Sequence, residues 1–271
     1  MTQSNRLLFR TLCASVCVFS ASVATAHDVW LVPSSTVLSR AGYVTVDGAV
    51  SNDTFHFTYR PLMIRDNLFI IAPDGAVVEP ENLVQGRLRT VFDAHLEQPG
   101  SYRISVVNAG VMASWQEGGE TRRWRGRVDD LDANVPADAA ELQVRESASR
   151  VETFVTVGTP GPILAAGEGL ELVPVTHPND LYDGEQSTFQ FVMDGVPVAG
   201  LEVSVMAGGT RYRDQLEKVT LVTDDQGRVS YTWPAPGLYW LDTSLRDENT
   251  RVRGAIQRRL AYSATFEVLP Q

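Results

Sequence analysis

The stretch Pro99-Gly100-Ser101-Tyr102-Arg103-Ile104-Ser105-Val106 returns in weaker form as Pro236-Gly237-Leu238-Tyr239-Trp240-Leu241. Each copy follows a glycine turn, Asp74-Gly75 in the first and Asp225-Gln226-Gly227 in the second. Pro-Gly reverses the chain, and the residues after it alternate apolar and polar with the period of a strand. Immunoglobulin-like sandwiches place a tyrosine at such a strand corner. Two copies therefore predict an all-β chain of two immunoglobulin-like β-sandwich domains in tandem.

Working outward, Tyr43–Val50, Thr188–Val192, Leu201–Val205 and Leu260–Val268 also alternate with period two, and Arg150–Val157 reads as a further strand. Trp115–Trp124 reads as a hairpin turning at Gly118-Gly119. Pro136–Arg145 alone has a helix-like composition. The densest Gly/Pro run, from Gly158 through Gly169, predicts a boundary between an N-terminal domain over 27–158 and a C-terminal domain over 168–271.

The first 26 residues read as an export signal. Arg6 and Arg10 precede the uncharged apolar run Leu12–Val23, and Ala24-Thr25-Ala26 is a small-x-small cleavage pattern. The apolar run is too short to span a bilayer, which argues against stable membrane insertion. Cleavage after Ala26 predicts a periplasmic protein beginning at His27. Cys13 and Cys17 leave with the signal, so no thiolate remains for a disulfide, a metal or thiol catalysis. The mature chain keeps 21 basic against 33 acidic side chains, a net charge of −12. That argues against nucleic acid and anionic membranes as partners.

With thiols gone, metal ligands must come from histidine, carboxylate, backbone or the terminal amine. His27 stands out because a free α-amine and an imidazole on one residue close a chelate, and a second histidine would complete a nitrogen site suited to copper or nickel. The plainer alternative is a histidine that merely follows the cleavage point. His177 sits in a Pro-bounded loop with Asn179, Asp180 and Asp183, where exposed polar groups are functional candidates and Asx turns the alternative. His56, within Phe55-His56-Phe57-Thr58-Tyr59, reads as the exposed face of an aromatic strand, and His95 reads as a surface residue. Arg211 and Arg213 read as a hairpin loop paired to neighbouring acids, with an anion clamp as the alternative. No G-x-S-x-G, H-E-x-x-H, phosphate loop or dinucleotide fingerprint is present, and no two carboxylates are placed as a glycosidase pair. The sequence therefore points to a binding protein rather than an enzyme.

Ala26-His27-Asp28-Val29-Trp30-Leu31-Val32-Pro33, Gly169-Leu170-Glu171-Leu172-Val173-Pro174-Val175-Thr176-His177-Pro178 and the closing Pro236-Gly237-x-Tyr239 together resemble the bacterial family called domain of unknown function 4198. The resemblance covers essentially the whole mature chain. It implies a transthyretin-like sandwich in the C-terminal half, and a periplasmic accessory role in nickel, cobalt, copper or iron-chelate uptake. The implied partner is an envelope metal transporter or TonB-dependent uptake system. The metal role falls on His27 and His177. Two other readings remain: an envelope interaction module that docks on a transporter without metal, and a copper enzyme built on the N-terminal histidine.

Overall fold

The computed structural model describes residues 27–250 and 252–271; the signal segment read from the sequence lies outside them. The chain is all-β and builds three sheets. A ten-stranded sheet runs through the whole molecule. Its order is Val219–Val222, Glu202–Ala207, Gly237–Asp247, Ala255–Val268, Ala140–Val157, Gly100–Glu117, Leu68–Ile71 and Val77–Val78, with Glu120–Gly126 and Val37–Leu38 on side branches. A five-stranded sheet is built on Asp28–Pro33, Gly42–Ser51 and Thr90–Leu96, and a four-stranded sheet on Leu170–Pro174, Gln186–Met193 and Arg228–Thr232.

Strand alternation shows how these sheets stack. In Ala140–Val157, Val151, Val155 and Val157 join the N-terminal core with Tyr102, Ile104, Val46 and Phe92. The intervening Phe154 joins the C-terminal core with Phe191, Tyr262, Phe266 and Trp233. Odd and even residues of one strand thus serve different cores, so the two smaller sheets cover opposite faces of the long sheet. The parallel pairing of Ala140–Val157 with Ala255–Val268, from Glu146 opposite Arg258 to Thr153 opposite Thr265, joins the halves. A third cluster, Trp30, Ala49, Met206 and Trp240, packs the first strand onto the C-terminal half, and the Trp240 indole N–H donates to the Val29 carbonyl at 2.9 Å. The two sandwiches share one sheet.

Both tyrosine corners form. The Tyr102 hydroxyl donates to the Gln98 carbonyl at 3.0 Å, and Tyr239 donates to Ala235 at 2.8 Å. Gly100 and Gly237 hold φ of 124° and 135°, which glycine alone adopts readily. A Cβ at Gly100 would also lie 2.7 Å from Pro73.

The hairpin forms with its turn at Gly118-Gly119. The helix expected over 136–145 does not. A single helical turn lies earlier, at Leu131–Asn134, and a strand begins at Ala140. Pro136 disfavours helix just before it. Leu142 and Val144 then pack into the small cluster around Val111 and Trp115, with period two. The Phe55–Tyr59 segment is a turn and loop closed by the His56 N–H on the Asp53 carbonyl at 3.0 Å, rather than a strand.

Candidate functional site

Two polar regions contain the histidines singled out by sequence. The first is a buried seam where the linker crosses the shared sheet. Its strand residues Ser101, Arg103 and Ser105 alternate with the core residues Tyr102, Ile104 and Val106. Arg103 is 4% exposed and lies 3.1 Å from the Glu171 carboxylate and 3.8 Å from that of Glu152, both fully buried. Glu171 accepts the backbone N–H groups of Ala166 and Gly167 at 2.7 and 2.8 Å. Glu152 accepts the Ser105 and Tyr262 hydroxyls, each at 2.8 Å, with Arg150 at 3.4 Å. Burial pushes the Tyr262 phenol well above its usual range, and the neighbouring Glu152 charge adds to this. Most of the polar atoms of this network are satisfied, as a low-dielectric site requires. Arg103 Nε has no partner among the described residues.

His177 closes the end of this seam. Its Nε2 lies 2.8 Å from Ser101 Oγ and 3.1 Å from the Gly161 carbonyl, and its Nδ1 accepts the Asn179 N–H at 3.1 Å. An accepting Nδ1 assigns the ring proton of the neutral form to Nε2. Burial lowers the His177 pKa below the usual histidine value, which favours that neutral form. Asn179 is itself buried and bridges Thr156 and the Phe154 carbonyl at 2.9 Å each. Both ring nitrogens of His177 are therefore committed to holding the linker and the loop against the first sandwich. The sequence presents His177 as a loop ligand; packing makes it a tie.

The second region is the corner where the described chain begins. His27 is exposed and stacks on Tyr59, ring centroids 4.3 Å apart and 20° between planes. Asp28 accepts the Thr54 hydroxyl, and burial raises its pKa against the pull of that bond and of Lys218. Its charge is felt by His27, Asp53 and Asp242. Asp242, nearly buried, is pushed up to about 6 by desolvation, with Lys218 opposing and Asp28 adding to the rise. His27 thus lies beside Asp28, whose charge acts on Asp242 in turn, with Lys218 and Arg259 as the opposing cations. Among the described residues no group of three or more His, Cys, Asp or Glu side chains is arranged to hold a metal ion. Nothing in the contacts brings His27 and His177 together.

The remaining candidates are held by neighbours. His95 stacks on Tyr43 at 4.3 Å with its Nδ1 3.3 Å from Glu97. Arg213 donates to the Ala207 carbonyl at 2.6 Å and pairs with Glu217 at 2.9 Å, the loop pairing expected of it. The seam itself escaped sequence reasoning. Ser101-Tyr-Arg-Ile-Ser-Val looks half-exposed, and only the partner acids Glu152 and Glu171, far away in sequence, reveal that its polar side is buried.

Among solved structures, the chain is similar to the D0-D1 domain of intimin at 12% identity, with 88% of this chain and 97% of that chain covered and a TM-score of 0.23. It is similar to the adhesin InvE of Yersinia pseudotuberculosis at 12% identity, covering 89% and 58% of the two chains with a TM-score of 0.21. Trypsin-activated alpha-2-macroglobulin from Escherichia coli gives 15% identity, 88% and 15% coverage, and a TM-score of 0.21. Superpositions this loose say nothing about what the chain binds. No curated protein matches the sequence. The model of the family described as Domain of unknown function (DUF4198) matches residues 24–247, from before the His27 corner to the end of the strand Gly237–Asp247. With the family model covering most of its length, the chain belongs to the DUF4198 family.

Proposed function

We propose that the exported, processed chain is a periplasmic accessory protein that captures a divalent transition metal at His27 and supports its uptake through an envelope transporter. The observation that carries this reading is the exposed His27 imidazole beside Asp28, whose charge adds to those of Asp53 and Asp242 against the cations Lys218 and Arg259. Side chains alone do not complete a site there. Cleavage after Ala26 would add the missing donor, an α-amine whose ordinary pKa lies near neutrality, so that losing its proton to a metal costs little. Amine and imidazole then form one chelate, and the surrounding negative charge favours a cation. Nickel, cobalt and copper suit nitrogen donors of this kind.

His177, which the sequence offered as the second imidazole, does not fit, because its Nδ1 lone pair and Nε2 proton are both engaged. The third donor falls instead to a carboxylate of the corner. Binding without turnover is the proposed role.

Calorimetric titration of tag-free protein beginning at His27 with Ni²⁺ and Cu²⁺ tests this. Binding should be one to one, and His27→Ala, which leaves the α-amine but removes the imidazole and with it the chelate ring, should weaken it by at least about a hundredfold. Unchanged affinity in His27→Ala would end the proposal.

A further inference from the structure

The long sheet carries a second charged feature, on the same face that packs against the five-stranded sheet but at the end that sheet does not cover. Residues directly opposite one another in antiparallel strands share a face. Arg125 lies opposite Met112, Met112 opposite Arg145, and Arg123 opposite Ser114. One step further, Ser147 lies opposite Arg259 and Arg259 opposite Arg246. Because Ser147 and Arg145 are two apart in one strand, all five arginines project from one face. The acids of these strand ends, Glu117, Glu120, Glu146 and Asp247, fall by the same alternation on the other face.

Among the described residues none of these five arginines is in an ion pair; Arg259 donates to the Ser244 hydroxyl at 3.4 Å, and its charge acts on Asp242 from a greater distance. Arg258, next in sequence but on the opposite face, is held by Asp247 at 2.7 Å and Asp194 at 2.8 Å. Asp242, further along the same face, makes no ion pair with Arg259. Like charges directly opposite in a sheet are destabilising, and Arg246 and Arg259 stand in that relation. A chain of net charge −10 with 33 acids thus leaves five arginines without an ion pair on one face of one sheet.

Four of them, Arg125, Arg145, Arg246 and Arg259, line one groove of about 790 Å³ together with Met112, Ser147, Arg258 and Glu146, whose carboxylate accepts the Thr250 hydroxyl. That volume suits a small molecule. Opposed residues have Cβ atoms about 5 Å apart, so Arg246 and Arg259 can close on one oxyanion group. Arg145, on the adjacent strand, is placed for a second. The guanidinium fork matches carboxylate and phosphate oxygens in pairs. We propose that this groove binds a small multivalent oxyanion, a molecule carrying two or more carboxylate or phosphate groups. The groove adjoins the His27 corner through Arg259, whose charge acts on Asp242, but the proposal stands whether or not that corner binds metal.

The test is calorimetry on the metal-free chain beginning at His27, with citrate and tripolyphosphate as multivalent probes and acetate as the singly charged one. At least one multivalent probe should bind, and acetate should not at the same concentration. The stronger of the two identifies the group as carboxylate or phosphate. Arg246→Gln with Arg259→Gln should weaken that probe about a hundredfold, and Arg145→Gln alone about tenfold. Arg228→Gln removes the same charge from a different sheet and should leave affinity unchanged. Without ligand the double variant should melt no lower than the parent, because it relieves a like-charged pair; if it misfolds, Arg145→Gln decides. Failure of both multivalent probes, equal binding of acetate, or an equal loss in Arg228→Gln would overturn the proposal.

Discussion

His27 and His177 have the same side chain and opposite circumstances. His177 is half-buried, with a proton acceptor or donor on each ring nitrogen, at the end of a seam that holds the two sandwiches together. His27 is exposed, touches one aromatic ring and faces carboxylates. The difference teaches that a histidine's candidacy depends on what has already claimed its nitrogens. Buried polar groups must be satisfied within the protein, and that removes them from ligand chemistry.

The seam should be the costlier region to disturb. Glu171→Ala would strand the buried Arg103 charge and should destabilise by roughly 3–5 kcal/mol in urea denaturation. A loss below about 1 kcal/mol, the size expected of an exposed pair, would mean the seam is not a tie. His177→Ala removes contacts to Ser101, Gly161 and Asn179 and should cost about 1–3 kcal/mol while leaving metal affinity at His27 unchanged. Reduced metal affinity at full stability would reverse the two histidines' roles.

The corner should behave in the opposite way. Asp242 has a folded pKa of about 6, above the ordinary 3.8, so its contribution to stability is present below 3.8 and is lost as pH rises through 6. Asp242→Asn should therefore stabilise the metal-free chain above pH 6, by on the order of 1–3 kcal/mol, and give no gain at pH 4. His177 gives the smallest effect and the reverse sign. Its folded pKa lies below 6.5, so the unfolded chain takes up the proton first, and stability falls as pH drops below 6.5. Melting temperatures from pH 5 to 7 should lose that slope in His177→Ala.

What the sequence made legible was local. The Pro-Gly-x-Tyr turns specify their own glycine conformations and a hydroxyl bond four residues back, so both corners could be read from a few adjacent residues. The hairpin at Gly118-Gly119 was readable for the same reason. The shared sheet was not, because it depends on pairing Ala140–Val157 with Ala255–Val268, more than a hundred residues away, and parallel pairing leaves no turn signature. The alanine-rich 136–145 stretch misled because composition outweighed the period-two placement of Leu142 and Val144, which packing obeys. Of the two site histidines, the environment of His177 depends on Ser101 and Gly161, partners that no local pattern announces. The setting of His27 likewise depends on Tyr59, which arrives from a separate loop.

The central claim is that the amine and imidazole of His27 act together on one metal. The most direct measurement is the electron paramagnetic resonance spectrum of one equivalent of Cu²⁺ on the chain beginning at His27, compared with the same chain preceded by a single alanine. The account predicts a nitrogen-coordinated signal in the first, lost or replaced in the second because the His27 amine has become an amide. The same spectrum from both chains would contradict it.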